Sequence, residues 1–329
     1  MKAMIIQAPR KPLVLSDRPT PKPSKGEVLV RVVATAVNRA DLLQVQGLYP
    51  APEGSPADIP GLEFSGVIAG LGEGVTSWSE GDHVTGLVGG GSYAEFLTVH
   101  ARALSGAPKS VSLVEAAALP EALLTAYDAI VVQGHCRSGD ALLVHAAASG
   151  IGTAAVQIGR AIGAHVIATS RSEAKLARVL ALGADVGLTT TDAKFADAVK
   201  KATEGRGADV ILDLVGGAYV AEDIRAAANK ARIMLIGLTA GRAAEVELGE
   251  ILRKRLTIQG SVLRSRPIEE KIALAEVFTR HLLPLVERGS LAPVIERTFT
   301  LEEAAKAHEL VASNQTFGKV LLTVGEPGT

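Results

Sequence analysis

The chain has 329 residues, and its 34 lysines and arginines against 35 aspartates and glutamates leave a formal net charge of −1, a balance that excludes the electrostatic footprint of a dedicated nucleic-acid binder. With 47% hydrophobic and 21% charged residues it can bury a large core, which excludes global disorder, and it exceeds the roughly 250–300 residues at which single cores stop growing, so two domains are expected. The one cysteine, Cys136, excludes a disulfide framework and a Cys-rich zinc site; no apolar run nears the roughly 20 residues of a membrane span and no secretory signal pattern opens the chain, so a cytoplasmic protein is expected.

The first third is β-rich. Val28–Val37 is largely β-branched and follows the turn-like Pro23-Ser24-Lys25-Gly26, and further strands are expected over Phe64–Leu71, Asp82–Leu87 and Ala94–Val99, separated by glycine-rich turns. The period then changes. Ala141–His145 is a short apolar run without polar alternation, as a parallel strand covered on both faces requires. A small-residue turn, Ala146 to Gly152, leads into a helix over Thr153–Ile162, and His165–Thr169 supplies the next strand. Helices at Ser172–Leu182, Phe195–Thr203 and Val220–Ala228 alternate with strands at Ala208–Leu214, Arg232–Gly237 and Thr257–Val262. Alternation with connections this short predicts a doubly wound parallel sheet, so the fold class is α/β. The tail, with helices over Ile268–Arg288 and Leu301–Ala312 and strands over Ile295–Phe299 and Lys319–Val324, is too little for a third domain and is expected to pack on the N-terminal β region.

The turn Ala147-Ala148-Ser149-Gly150-Ile151-Gly152 matches the dinucleotide fingerprint G-x-G-x-x-G in position only at Gly152; Ala147 and Ser149 replace the first two glycines, and Gly150 adds flexibility. Small residues still allow a tight turn and close approach of a pyrophosphate to a helix N-terminus, and Ser149 adds a hydroxyl. An NAD site has a carboxylate at the end of the second strand, whereas this chain has Thr169-Ser170-Arg171-Ser172 with Lys175 beyond. Arginine, serine and lysine can neutralise and hydrogen-bond a 2′-phosphate, which predicts NADPH over NADH. Leu214-Val215 and Gly237-Leu238 follow parallel strands, where α/β sheets bind ligands.

At this point the chain resembles the zinc-free quinone oxidoreductases of the medium-chain dehydrogenase/reductase superfamily, nearest to the tumour-suppressor-inducible branch and more distantly to the zeta-crystallin type. The resemblance covers essentially the whole chain and rests on Val37–Leu43, Gly47–Pro50, Pro60–Gly66, Leu119–Ala126, Ser149–Gly152, Leu263–Arg266 and Phe317–Lys319. It implies a Rossmann NADPH-binding domain over 122–266, inserted in a GroES-like catalytic domain made of 1–121 and 267–329. It further implies a cofactor in the cleft between the domains, and a homodimer joined through sheet edges, with Arg255–Val262 as the candidate edge.

Zinc alcohol dehydrogenases of the superfamily carry a catalytic cysteine where this chain has Asn38, and a His-Glu pair where it has Leu62-Glu63; leucine cannot bind a metal. What remains is metal-free hydride donation to a small-molecule acceptor such as a quinone or an activated alkene, with Glu63 as a structural carboxylate. The negative charge arriving on the acceptor oxygen needs a positioned donor, and the resemblance places Asn38 and Tyr49 beside the nicotinamide as catalytic candidates; Tyr49 could also cover the ring. It also places Thr125, Leu263, Arg264, Phe317, Gly318 and Lys319 near the cofactor. Zeta-crystallin-type enzymes have a tyrosine near the 2′-phosphate where this chain has Thr190, leaving specificity to Ser170, Arg171 and Lys175. His145 closes a strand as a core histidine, and none of the seven histidines belongs to a spaced metal set. Quinone reduction is the leading reading. An enone or enoyl-thioester reductase on the same fold, and a low-turnover NADPH-binding module, are its rivals.

Overall fold

A computed structural model describes residues 1–325; the last four residues of the expected 267–329 segment lie outside them. The described chain forms two compact units, one being Thr125–Val262 and the other the segments that flank it.

The flanking unit begins with the hairpin of β1 (Lys2–Ile5) and β2 (Val14–Asp17), neither of which the sequence pattern marks. Its centre is β3 (Glu27–Val37), where Val28, Val30, Val32 and Ala34 alternate onto the buried face with the two-residue period of a pleated strand. After the short helix α1 (Arg39–Val45) come β4 (Glu63–Leu71), β5 (His83–Leu87), β6 (Phe96–His100) and β7 (Leu104–Gly106), which join β3 in a largely antiparallel sheet. Phe64, Ile68, Val84 and Tyr93 fill its core, and Trp78 packs at the margin with its indole N–H donating to the Ala101 carbonyl. Helices α2 (Leu113–Ala116) and α3 (Pro120–Tyr127) follow.

The inner unit is a six-stranded sheet of β8 (Ala141–Val144), β9 (His165–Ser170), β10 (Val186–Thr189), β11 (Ala208–Asp213), β12 (Ala227–Leu235) and β13 (Thr257–Gly260), interleaved with helices α4 (Gly150–Ile162), α5 (Glu173–Leu182), α6 (Ala196–Ala202), α7 (Tyr219–Ala226) and α8 (Leu248–Lys254). Its order, β10-β9-β8-β11-β12-β13, is parallel throughout, so the winding reverses between β8 and β11. Leu142, Leu143, Ile167 and Ile211 are wholly buried, each contributing about 1.5–3 kcal/mol of hydrophobic stabilisation. The expected helix over Val220–Ala228 ends at Ala226, and the following strand starts at Ala227 rather than Arg232, turning through a left-handed Lys230 (φ 64°).

The tail returns to the first unit, as its small size predicts. After α9 (Ile268–Val277), the helix expected to run to Arg288 widens to a π-type turn over Phe278–Leu282 before α10 (Leu283–Glu287). Pro284 has no N–H to continue the ladder there, so the repeat slips. β14 (Ile295–Thr300), α11 (Ala304–Ala312) and β15 (Lys319–Thr323) close the sheet, with β15 running antiparallel to β3. That pairing brings Val320 beside Val37 and sets Lys319 next to Asn38.

Candidate functional site

In the parallel unit, the switch point between β8 and β11 carries the turns singled out in the sequence, as doubly wound sheets place their ligands. Ser149 is the N-cap of α4, its Oγ accepting from the Gly152 N–H at 3.0 Å. Gly152 must lack a side chain, because a Cβ there would sit 2.4 Å from the Ala146 carbonyl oxygen. The strand leaves Val144 through Ala146 in the left-handed region (φ 47°), and α4 begins at Gly150, a turn earlier than expected. Gly150 and Ile151 thus form the first turn of a 13-residue helix whose N-terminus favours an anion.

At the end of β9, Ser170 is buried and its hydroxyl accepts from the Ser172 N–H, while Arg171 is exposed and Lys175 half-buried in the first turn of α5. Thr190 is buried and accepts from the Tyr219 hydroxyl at 3.1 Å. A tyrosine therefore reaches the Thr190 position from α7, a connection across 29 residues that no local pattern marks. Leu214 and Val215 form the turn after β11, held by the Asp213 carboxylate, whose Oδ1 accepts from the N–H groups of Val215 (2.7 Å) and Gly216 (2.9 Å). Gly237 follows β12 and donates to the Asp213 carbonyl, and Leu238 beyond it is half exposed. Thr125 is buried in α3.

In the other unit, Asn38, Glu63 and Lys319 form one network. Lys319 Nζ donates to Glu63 Oε1 (2.7 Å) and to Asn38 Oδ1 (2.6 Å). The Asn38 amide donates to Glu63 Oε1 (2.9 Å) and to the Ala36 carbonyl (3.2 Å), and Glu63 Oε2 accepts from the Glu121 N–H at 2.8 Å. The Glu63 and Lys319 side chains are 0% and 7% exposed, so the ion pair is desolvated. Both amide protons of Asn38, expected to donate to an acceptor oxygen, have partners inside the protein in this structure. The Lys319 ammonium is likewise committed to Glu63 and Asn38.

Tyr49 is half-buried, and among the described residues its hydroxyl has no hydrogen-bond partner. The Arg264 guanidinium lies 5.0 Å from the centre of its ring, and donates to the carbonyls of Tyr49 (3.1 Å) and Gly89 (2.7 Å) and to the Gln44 side chain. Arg264 thereby ties two loop segments and helix α1 together around Tyr49. Burial pushes the phenol above its usual range, so it remains a proton donor through neutral pH. Leu263 and Phe317 are buried, and the Phe317 N–H donates to Glu296. Gly318 takes a positive φ (87°) just before β15.

A second buried carboxylate underlies this region. Asp41 accepts from the N–H groups of Asn38 (2.7 Å) and Gly61 (3.1 Å), and Tyr93, whose hydroxyl pairs with His308 Nε2 at 3.0 Å, lies 3.5 Å away. Burial raises the Asp41 carboxyl to about 6 and lowers His308 to about 4. A raised carboxyl stabilises the fold fully below its unfolded value near 3.8, and that stabilisation is lost as pH rises through about 6. Wild type should therefore lose roughly 3 kcal/mol relative to Asp41→Asn between about pH 4 and about pH 7, measured by urea unfolding. A difference between the two proteins that is constant with pH would contradict this. Cys136 is buried and its thiol is pushed up to about 12, so it is not a nucleophile.

These features define a two-unit, dinucleotide-binding oxidoreductase. The chain matches the alcohol dehydrogenase GroES-like domain over residues 24–109 and the zinc-binding dehydrogenase family over 150–279. It is 33% identical to quinone oxidoreductase-like protein 2 of Bos taurus over 96% of this chain and 90% of that one, and 31% identical to the quinone oxidoreductase of Rattus norvegicus over 93% and 92%. Similar solved structures include an NAD-dependent alcohol dehydrogenase (34% identity, TM-score 0.87, covering 99% of this chain and 100% of that one) and a mycobacterial protein complexed with NADPH (28%, 0.87, 98% and 100%). Another is the JamJ enoyl reductase (26%, 0.88, 98% and 99%). The chain belongs to the medium-chain dehydrogenase/reductase superfamily, among its quinone oxidoreductase-like members.

The zinc in the name of one matched family does not fit here. Leu62 offers hydrocarbon, Glu63 is saturated by Lys319, Asn38 and a backbone N–H, and among the described residues no group of three histidine, cysteine or acidic side chains is placed to hold a metal ion. No helix among the described residues is long and apolar enough to cross a membrane.

Proposed function

We propose that the protein reduces quinones with NADPH, without a metal. The observation that carries this reading is the closed Asn38–Glu63–Lys319 network at the positions of the superfamily's zinc ligands, which leaves hydride transfer to an acceptor needing no Lewis acid. When bound, NADPH would supply the hydride from its nicotinamide ring. The residues for holding it are Ser149–Gly152 for the pyrophosphate and Ser170, Arg171 and Lys175 for the 2′-phosphate, with Thr190, Leu214-Val215 and Gly237-Leu238 along the same sheet edge. Leu263, Phe317 and Gly318 are cofactor candidates on the strength of the family resemblance.

Tyr49 is the donor to the acceptor oxygen. Its hydroxyl is free, it stays protonated, and Arg264 fixes its loop. Asn38 and Lys319 act behind it by holding α1 and the start of β15 in register. Tyr49→Phe should lower kcat/KM for a quinone about tenfold and leave NADPH affinity unchanged, since quinones need little activation. An equal loss in cofactor affinity would reassign Tyr49 to cofactor binding.

Alkene reduction is the second reading, favoured by the similarity to an enoyl reductase. NADPH and NADH oxidation by the purified protein with an ortho-quinone, a para-quinone and a trans-2-enal separates the two. Quinone-dependent NADPH loss supports the first, and preference for the enal moves the function to alkenes. NADPH binding without turnover leaves a binding module. A homodimer through β13 completes the reading: that strand is the sheet's edge, and the α8 residues Leu248 and Leu252 just before it are 67% and 78% exposed. Sedimentation tests it.

A further inference from the structure

Arg264 holds a buried positive charge in contact with no acid. It is 5% exposed. Its Nε donates to the Gly89 carbonyl at 2.7 Å, its Nη1 to the Tyr49 carbonyl at 3.1 Å and its Nη2 to the Gln44 side-chain oxygen, all neutral acceptors. Among the described residues the guanidinium has no ion pair. The buried carboxylates of this unit are committed elsewhere, Asp41 to the N–H groups of Asn38 and Gly61 and Glu63 to Lys319 and Asn38. A buried cation left with neutral partners carries a desolvation cost that its hydrogen bonds offset only in part. Local costs of this kind persist where function uses them. What the guanidinium faces is the ring of Tyr49, whose centre lies 5.0 Å from Cζ, a distance at which a cation interacts with the ring face.

We propose that Arg264 is the electrostatic partner of Tyr49: its charge on the ring face stabilises the phenolate left when Tyr49 gives its proton to the reduced acceptor. This rests on the reading of Tyr49 as the donor. In the step, the quinone gains a hydride and its electron pair from NADPH, which is oxidised, and becomes a hydroquinone monoanion. The Tyr49 O–H bond breaks, its proton joins the anionic oxygen, and water then returns a proton to the phenolate. A phenol is a weak acid for this purpose. Burial weakens it further, Glu121 acts in the same direction, and Arg264 pulls the other way. A guanidinium stays charged throughout the working range, so its help does not fade with pH. The loop that carries Tyr49 has other anchors. Gln44 Nε2 donates to the Ala57 carbonyl at 3.1 Å, and a Cβ on Gly89 would collide with the Ser55 hydroxyl, so the loop closes directly on a bare glycine. Charge on the phenol is what Arg264 adds beyond those contacts.

Two arms test the pairing, and both separate charge from packing. In the first, kcat/KM for a quinone is measured for Arg264→Gln and Arg264→Lys, each with Tyr49 in place and with Tyr49→Phe. Loosened packing costs both backgrounds alike, so the difference isolates what passes through the phenol. Arg264→Gln should cost about fivefold more with Tyr49 present than in Tyr49→Phe. Arg264→Lys keeps the charge without the forked hydrogen bonds and should recover part of that difference. Equal losses in the two backgrounds, or a lysine variant no better than the glutamine one, overturn the proposal. The second arm needs neither cofactor nor acceptor. Fluorotyrosine labelling brings phenol titrations down towards the range in which the protein is folded, and Tyr49→Phe assigns the Tyr49 fluorine resonance among the four tyrosines. That resonance should titrate about one pH unit higher in Arg264→Gln than in wild type. An unchanged or lower titration overturns the pairing. If Tyr49→Phe reduces quinone as fast as wild type, the donor reading falls on its own, and the titration alone decides whether Arg264 stabilises the phenolate.

Discussion

Lys319→Met is expected to destabilise the protein by about 3–5 kcal/mol in denaturant unfolding near neutral pH. The ammonium sits between Glu63 Oε1 and Asn38 Oδ1 in a site where the glutamate side chain is wholly buried. Removing it leaves a desolvated carboxylate compensated by the Asn38 amide and the Glu121 N–H, and frees Asn38 Oδ1. The double variant Lys319→Met/Glu63→Gln should recover much of the loss, because the cost is the unpaired charge rather than the missing contact. A double variant as unstable as the sum of the two single ones would show the groups to be independent. Activity gives a second readout. If Lys319 acts by holding Asn38 and the start of β15, the conservative Lys319→Arg should restore stability better than turnover, since the larger guanidinium fits the pair but displaces Asn38.

Much of the fold could be read locally because the signal and its cause lie in the same few residues. The two-residue alternation of Val28, Val30 and Val32 is the burial pattern of β3, and the polarity-free run 141–144 is a strand covered on both faces. The elements that escaped were weak by that standard: β10, Val-Gly-Leu-Thr, is a four-residue edge strand with no fully buried side chain, and β1 and β2 form a small separate ribbon. The candidate site divides the same way. Ser149, Gly152 and the carboxylate-free end of β9 form contiguous strings and were legible. The direction in which Asn38 spends its amide is set by Lys319, 281 residues away, and by Glu63, 25 away. The partners of the buried His145 are Thr169 and Asp223, 24 and 78 residues off. No periodicity carries such distances.

The strongest consequence for cofactor choice falls on Arg171. It is exposed just after β9 and, among the described residues, enters no hydrogen bond or ion pair, while Ser170 beside it is buried and already accepts from Ser172. Arg171 is thus the charge at this turn that a 2′-phosphate can recruit without breaking an existing contact. A charge-assisted hydrogen bond contributes about 1.5–3 kcal/mol. Arg171→Ala should therefore lower kcat/KM with NADPH about 10- to 100-fold and change that with NADH by less than about threefold. Stability should not move, because the side chain is exposed. Ser170→Asp should go further and favour NADH, placing a carboxylate where the ribose 2′-hydroxyl is bound in NAD enzymes and repelling the phosphate. Steady-state rates of both variants with both cofactors and one quinone read the outcome directly. Equal losses with NADPH and NADH would show that Arg171 contacts the shared part of the dinucleotide. No loss with either would move the phosphate site to Lys175, whose ammonium extends from the same first turn of α5.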